Sequence, residues 1–161
     1  MSTDPATGVP QAEPESPWPG GGVLVGVDGS AESVAALREA KTLAEKLGTP
    51  LHAVVCWDYP DLAFGDVTSP EIFAYPKEDA DHVLRTVTRE VFGAEVPDWF
   101  TGSVHRGRPA PSLIRLSRGA AMLVVGSRGR GGFIGLLLGS VSSACVAHAE
   151  CPVLVVPRPA G

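Results

Sequence analysis

Five short apolar runs that alternate with helix-like segments constrain the fold of this chain most. The runs lie at residues 23–27, 51–57, 100–105, 122–125 and 153–156. Their β-branched residues are typical of strands that are covered on both faces. Apolar residues recur at helical spacing between them, at 31–47, 77–92, 110–118 and 140–149. The alternation predicts an α/β fold, with a five-stranded parallel sheet, right-handed crossovers and helices on both faces.

Length and composition indicate a single domain. The chain has 161 residues, which suffice for one full core, and we expect the domain to span residues 23–158. Residues 1–22 are rich in Pro and Gly, with Trp18 as the only large apolar side chain, so we expect a disordered tail there. A second irregular stretch, residues 58–76, separates the second strand from the second helix.

Charge and cysteine usage exclude several classes of protein. The formal net charge is −5, and the three acidic residues of 1–22 account for more than half of it. The body is therefore nearly balanced, which disfavours a nucleic-acid-binding protein. The sequence predicts no membrane span and no signal peptide. Cys56, Cys145 and Cys151 are odd in number and lie in or beside apolar segments, which favours reduced thiols in a cytoplasmic protein, and their spacing predicts no metal site.

A glycine-rich loop between the fourth strand and the last helix indicates a phosphate-binding site. Glycines allow backbone N–H groups to approach an anion, and a helix start adds unpaired N–H donors. The hydroxyls of Ser140 and Ser142 and the charges of Arg128 and Arg130 suit the same ligand. The loop therefore predicts a cradle for the phosphates of a nucleotide.

The position of Asp28 adds a second element to this site. Asp28 follows the first strand, and Gly126 ends the fourth. In parallel sheets, ligands bind at the carboxyl ends of strands where the strand order reverses. If these two strands are neighbours, both loops open into one cleft.

Simpler interpretations exist for each of these residues. The glycines could form an ordinary connection, Asp28 or Ser30 could cap the first helix, and the serines could cap the last one. The two arginines could be solvated, and the leucines at 136–138 could pack beneath the loop or at a subunit contact. The four histidines share no spacing, which favours structural or surface roles. A Walker loop is excluded because no lysine follows these glycines, and the first loop lacks the dinucleotide fingerprint.

These residues resemble those of a known family. Gly126-x-x-Gly129, nine residues, then Gly139-Ser140 is similar to the G-2x-G-9x-G-(S/T) signature of the ATP-binding branch of the universal stress protein family. The segments at 25–30 and 148–157 and Gly107-x-Pro109 resemble the same family, so that the likeness covers about residues 22–158. One departure is the Gly-Ala-Ala at 119–121, where the family often has an Asp; we expect a structural consequence rather than one for binding.

The resemblance implies a specific fold and site. It implies strand order 3-2-1-4-5 and a homodimer paired through the last strand, Val153, Leu154, Val155 and Val156. It implies ATP as the ligand, with or without Mg²⁺. The residues it assigns to the ligand are Val27, Asp28, Gly29, Val55, Gly126, Ser127, Arg128, Gly129, Arg130, Gly139, Ser140, Val141 and Ser142. Asp28 and Val55 would contact the adenosine, and residues 139–142 the phosphate tail.

The function expected from this assignment is regulatory. No general base or positioned nucleophile stands beside the loop, so we expect a cytoplasmic ATP-binding regulatory protein rather than an enzyme, with slow hydrolysis as its only turnover. A cyclic-nucleotide or AMP-binding protein is the first alternative. An interaction module with a vestigial site and an adenylating enzyme with a second substrate pocket are the others.

Overall fold

The computed structural model describes residue 18 and residues 20–58, 77–129 and 137–159. Nine elements alternate along these segments. They are β1 (Val23–Gly26), α1 (Ala31–Leu47), β2 (Leu51–Trp57), α2 (Lys77–Phe92), β3 (Phe100–Arg106), α3 (Pro109–Ser117), β4 (Met122–Gly126), α4 (Ser140–His148) and β5 (Val153–Val156). The predicted alternation of strands and helices is confirmed.

The five strands form one parallel sheet in the order β3-β2-β1-β4-β5. The strand order implied by the resemblance is therefore confirmed. Residue 23 of β1 pairs with Leu51 on one side and Met122 on the other. The order reverses between β1 and β4, which places the loops after these two strands side by side.

Two apolar cores lie on opposite faces of the sheet. Alternate residues of β1 show the division: Val23 and Val25 belong to the core under α1 and α2, and Leu24 belongs to the core that contains Leu113 of α3 and Cys145 of α4. Strands buried on both faces need apolar residues at every position. This need explains the continuous apolar runs in the sequence.

The domain begins before residue 23, earlier than the sequence predicts. Gly21 N–H donates to the Gly119 carbonyl at 2.6 Å, and Ala121 N–H donates to the Gly22 carbonyl at 2.9 Å. Trp18 packs against the second core. Backbone hydrogen bonds to a turn, which the sequence does not signal, hold residues 20–22 in place. The remaining residues of the predicted tail, 1–17 and 19, lie outside the described residues, as does 59–76 of the irregular stretch.

No helix among the described residues is long and apolar enough to cross a membrane. All three cysteines are free thiols, with Cys145 buried and the other two half-buried.

Candidate functional site at the carboxyl edge of the sheet

Asp28 and Gly129 meet at the carboxyl edge of the sheet. They follow β1 and β4, which are paired neighbours. A Cβ atom built on Gly129 would lie 2.5 Å from Asp28 Oδ2. The missing side chain of Gly129 therefore allows the Asp28 carboxylate to reach the loop after β4. The predicted adjacency of these two loops is confirmed.

The residues after Asp28 form the start of α1. Asp28 Oδ1 accepts a hydrogen bond from Ser30 N–H at 2.9 Å, and Ser30 Oγ accepts one from Ser33 N–H at 3.2 Å. Ser30, rather than Asp28, is thus the N-cap of α1. Gly29 lies between them with φ of +84°, a left-handed conformation that favours glycine. This local geometry leaves Asp28 Oδ2 directed at Gly129.

The peptide of Ser127 joins the glycine loop to two other elements. Its N–H donates to the carbonyl of Val156, the last residue of β5, at 2.8 Å. Its carbonyl accepts from Gly139 N–H at 2.7 Å and from Ser142 Oγ at 2.8 Å. The loop, the start of α4 and the end of β5 therefore share one hydrogen-bonded junction.

Ser142 has a structural role in this arrangement. Its side chain is 3% exposed, and its hydroxyl proton is directed to the carbonyls of Ser127 and Gly139, at 2.8 and 3.1 Å. A hydroxyl carries a single proton. Ser142 therefore positions the loop, and its hydroxyl proton is engaged by these carbonyls.

The first turn of α4 begins at a glycine and adds backbone N–H donors to the cleft. Gly139 is the N-cap, with φ −75° and ψ 174°, and it provides no side-chain cap. Ser143 N–H is the first to bond back into the helix, to the Gly139 carbonyl at 3.0 Å. The N–H groups of Ser140, Val141 and Ser142 precede it, and no backbone acceptor for them lies among the residues that the structure describes. The exposed Ser140 hydroxyl stands beside them.

The face of each strand decides which β2 residue can contact a ligand near α4. Val55 is 1% exposed and belongs to the core under α1 and α2, as does Val27. Cys56 packs instead beside the core that contains Cys145 of α4. The side chain of Val55 thus lies on the face away from α4, and the β2 side chain on the α4 face is Cys56. Val27 is 5% exposed and offers only its backbone to the cleft.

Burial keeps the Cys56 thiol neutral. It raises the pKa of Cys56 to about 11, although the hydroxyl of Ser112 and the charge of Arg115 oppose the shift. A neutral thiol behaves as a small, polarisable apolar group. Cys56 therefore provides an uncharged surface below the cleft.

Gly126 is required by packing rather than by a ligand. A Cβ atom there would lie 2.9 Å from Glu32 Cβ and 3.0 Å from the Glu32 carbonyl carbon and oxygen, in the first turn of α1. Backbone atoms cannot move aside as the end of a flexible side chain can. Glycine at this position therefore allows α1 to begin close against the end of β4.

Comparison with known proteins identifies the family. The family model described as the universal stress protein family matches residues 22–157. The chain belongs to the universal stress protein family. Universal stress protein Rv2005c of Mycobacterium tuberculosis is 34% identical over 139 residues, covering 84% of this chain and 47% of that protein. A universal stress protein of Mycolicibacterium smegmatis is 36% identical over 138 residues, covering 84% and 46%. The chain thus spans about half the length of these curated relatives.

Solved universal stress proteins share the fold. A universal stress protein in complex with cAMP is 25% identical with a TM-score of 0.63, covering 87% of this chain and 98% of that one. The protein UspA of Lactobacillus plantarum is 25% identical with a TM-score of 0.67, covering 84% and 97%.

Part of the family signature lies outside the described residues. Arg130 and Leu136 fall there, so the structure does not place them. Arg128 is half-buried, and its Cα lies 3.4 Å from a Cβ built on Gly139. Leu137 is 91% exposed, which excludes packing of this leucine beneath the loop. The described residues contain no group of three or more His, Cys, Asp or Glu side chains that could hold a metal ion.

Two residues of the cleft were missed by sequence reasoning. Cys56 was missed because β2 is apolar on both faces, and its sequence does not reveal which alternate positions face α4. Glu32 was missed because it lies in the first turn of α1, far in sequence from Gly126 at the end of β4, which it approaches only in the folded chain. Successive side chains of β2 point to opposite faces of the sheet, so the face of every β2 residue is known once the face of one of them has been assigned.

Proposed function

We propose that this universal stress protein is an ATP-binding regulatory protein of the stress response that acts as a nucleotide-dependent homodimer in the cytoplasm. The main support is the convergence of Asp28, Gly129 and the uncapped first turn of α4 at one edge of the sheet. A carboxylate suits ribose hydroxyls, and unpaired N–H groups suit phosphate oxygens. A cleft that offers a carboxylate for the ribose and N–H groups for the phosphates fits a nucleotide.

The phosphate tail is assigned to the backbone of the glycine loop and to residues 139–141. Ser140 N–H and Val141 N–H have no backbone acceptor within the described part of the chain, the helix dipole favours negative charge, and the Ser140 hydroxyl adds a third donor. Ser142 holds these donors in place through Ser127. Arg128 and Arg130 are assigned to the outer phosphates, and Mg²⁺, when bound, would be held chiefly by phosphate oxygens and water.

The base is assigned to the α4 face of the sheet. Cys56 takes the role first given to Val55, because its side chain is on the face that carries α4. The backbone of Val27 and Gly29 borders the same space beside Asp28. A flat purine ring would be in contact with the neutral thiol and the surrounding apolar residues.

A cyclic nucleotide or AMP is the second candidate ligand. A solved relative of 25% identity is described in complex with cAMP. A single phosphate would use the donors of the first turn of α4 and leave Arg128 without a ligand. Relative affinities for ATP, AMP and cAMP therefore separate the two proposals, and no binding of any of them would favour an interaction module with a vestigial site.

The position of β5 at the end of the sheet, with no further strand beside it among the described residues, supports the proposed dimer. β5 ends the sheet, and Val153, Leu154 and Val155 remain half-exposed there. Its open backbone edge requires a partner or a cover. A groove of about 950 Å³ between α1 and β5, with an apolar floor that includes Val34 and Leu154, adjoins this edge. A second copy of the chain, paired on β5, would cover this edge and fill the adjoining groove.

The junction at Ser127 supports a link between ligand and dimer. Ser127 N–H is hydrogen-bonded to Val156 at the end of β5, and its carbonyl holds the start of α4. A ligand that draws the loop toward α4 therefore acts on the strand that would pair with the second copy. By linkage, a dimer that favours nucleotide binding is in turn stabilised by it. Regulation of this kind requires no catalytic residue.

Isothermal titration calorimetry of the full chain with ATP, AMP and cAMP tests the proposal. We expect ATP to bind in the micromolar range, and Ser140→Ala to weaken binding about 5- to 10-fold through loss of one hydrogen bond. Ser143→Ala is the matched control, because Ser143 is exposed two positions beyond the last proposed donor, Val141. A chain that binds no adenine nucleotide, or binds ATP equally well in both variants, would remove this assignment.

A further inference from the structure

A ring of hydrogen bonds closes the turn that carries Asp28. Ser33 Oγ accepts a hydrogen bond from Asp28 N–H at 3.2 Å and donates one to the Ser30 carbonyl at 3.0 Å. Ser30 Oγ accepts from Ser33 N–H at 3.2 Å, and Asp28 Oδ1 accepts from Ser30 N–H at 2.9 Å. These bonds join the same three residues, and together they hold residues 28–33 in one conformation.

Ser33 lies beneath the cleft rather than in it. The residue is 4% exposed. The single proton of its hydroxyl goes to the Ser30 carbonyl, and a lone pair receives the Asp28 N–H. Ser33 can therefore act on a ligand through Asp28, and not by direct contact.

The residue before Ser33 packs against the other wall of the cleft. A Cβ built on Gly126, at the end of β4, would lie 2.9 Å from Glu32 Cβ and 3.0 Å from the Glu32 carbonyl oxygen. The first turn of α1 thus contacts the loop after β1 through Ser33 and the end of β4 through Glu32. Because consecutive residues of a helix keep a fixed spacing, this turn sets the distance between Asp28 and the glycine loop.

The Ser33 hydroxyl removes conformational freedom from the turn. Gly29, inside the ring, has φ of +84° and has other conformations open to it at little cost. Without Ser33 Oγ, the Asp28 N–H would lose its acceptor. A ligand that requires Asp28 in one position would then have to order the turn on binding, and this cost lowers its affinity.

We propose that Ser33 is a positioning residue of the nucleotide site, whose hydroxyl holds Asp28 in place for the ribose. This inference rests on the proposed function, in which Asp28 accepts hydrogen bonds from the ribose hydroxyls. The contribution of Ser33 to affinity therefore depends on those hydroxyls. A serine that only stabilised the fold would affect all nucleotides alike.

Ser117 is a matched control for Ser33. It is 0% exposed, its hydroxyl accepts from Glu150 N–H at 2.9 Å, and it donates to the Ile114 carbonyl at 2.6 Å. Ser33 has the same two kinds of partner, including a carbonyl three residues earlier in the chain. Ser117 ends α3 and lies before β4 begins, at the opposite edge of the sheet from the cleft. Alanine at either position should therefore cost similar stability, but only Ser33→Ala should affect the ligand.

Calorimetric titration of the full chain with ATP and with 2′,3′-dideoxy-ATP measures this role. We expect Ser33→Ala to raise the dissociation constant for ATP about 3- to 10-fold, the range of one hydrogen bond, and that for the dideoxy analogue less than about 2-fold. Ser117→Ala should leave both constants within about 2-fold of the wild type. Ser33→Thr, which keeps the hydroxyl, should retain the affinity for ATP.

Amide hydrogen exchange of the wild type, followed by NMR, gives a measurement that does not depend on a variant. The exchange of Asp28 N–H reports opening of the ring. At equal saturation, ATP should protect this N–H more than 2′,3′-dideoxy-ATP does, because only ATP holds the Asp28 carboxylate. The Glu150 N–H, which Ser117 accepts in the same way, should respond equally to both nucleotides.

The outcomes separate this role from the proposed function. A wild type that binds neither nucleotide would overturn both. A wild type that binds ATP, with a Ser33→Ala variant that weakens the two nucleotides equally or no more than Ser117→Ala does, would overturn the role of Ser33 alone. The role is also overturned if both nucleotides protect Asp28 N–H to the same extent.

Discussion

Replacing Gly129 by alanine should weaken ligand binding while leaving the stability of the fold nearly unchanged. The new Cβ would lie 2.5 Å from Asp28 Oδ2, whereas ordinary contacts begin at 3.4 Å. The carboxylate must therefore move by about 0.9 Å. Because Asp28 Oδ2 is the end of a side chain and not backbone, we expect this displacement to change the domain's stability little and the position of the carboxylate substantially.

The expected loss of affinity follows from the contact that is displaced. A hydrogen bond from a ribose hydroxyl to a carboxylate contributes about 1.5–3 kcal/mol, so the dissociation constant for ATP should rise about 10- to 150-fold. Gly139→Ala is the matched control within the same signature, because its Cβ would meet only ordinary contacts at 3.4 and 3.7 Å. It should change affinity less than about 3-fold. Gly139→Asp, which places a carboxylate at the start of α4, should weaken binding strongly.

Calorimetric titration with ATP at one pH, together with circular dichroism to verify folding, measures both variants. Asp28→Ala supplies a stricter test, because Gly129→Ala should add almost nothing when the carboxylate is already absent. A Gly129→Ala variant that binds ATP as the wild type does, or a Gly139→Ala variant that loses as much affinity, would contradict this role of Gly129. An additive double variant would show that Gly129 acts without Asp28.

Four further outcomes are expected. Gly126→Ala should lower the free energy of unfolding by about 1–3 kcal/mol in urea titrations, because its Cβ meets backbone of α1, whereas Gly119→Ala, with its nearest contact at 3.7 Å, should be nearly neutral. Ser142→Ala should lower it by about 1 kcal/mol and weaken ATP binding less than Ser140→Ala; the reverse order would contradict the assigned roles. Val155→Lys on β5 should give a monomer in sedimentation velocity while the exposed control Val146→Lys leaves a dimer. Burial lowers the pKa of His52 to about 4, so the unfolded state binds more protons than the folded state below pH 6.5. The free energy of unfolding should therefore fall as the pH drops from 6.5 toward 4, by at most about 3 kcal/mol. A free energy of unfolding that does not change over this pH range would contradict the burial of His52 as a neutral group.

The order of strands and helices and the position of the glycine loop could be predicted from the sequence alone. Apolar runs covered on both faces and the turn residues between them left one architecture open, and the spacing from Gly126 to Ser140 placed a glycine loop before a helix start. Such patterns are local, because each depends on residues that are close along the chain.

Only the tertiary structure decided which side chains meet. Strand β2 carries apolar residues on both of its faces, so its sequence does not reveal whether Val55 or Cys56 faces α4. The packing of α4 on one face of the sheet decides this in favour of Cys56. The role of Ser142 depends on Ser127, and Trp18 was taken for part of a tail although it stacks on His52. These contacts join residues that are distant in sequence, and the type of a residue does not reveal which distant residue it will contact.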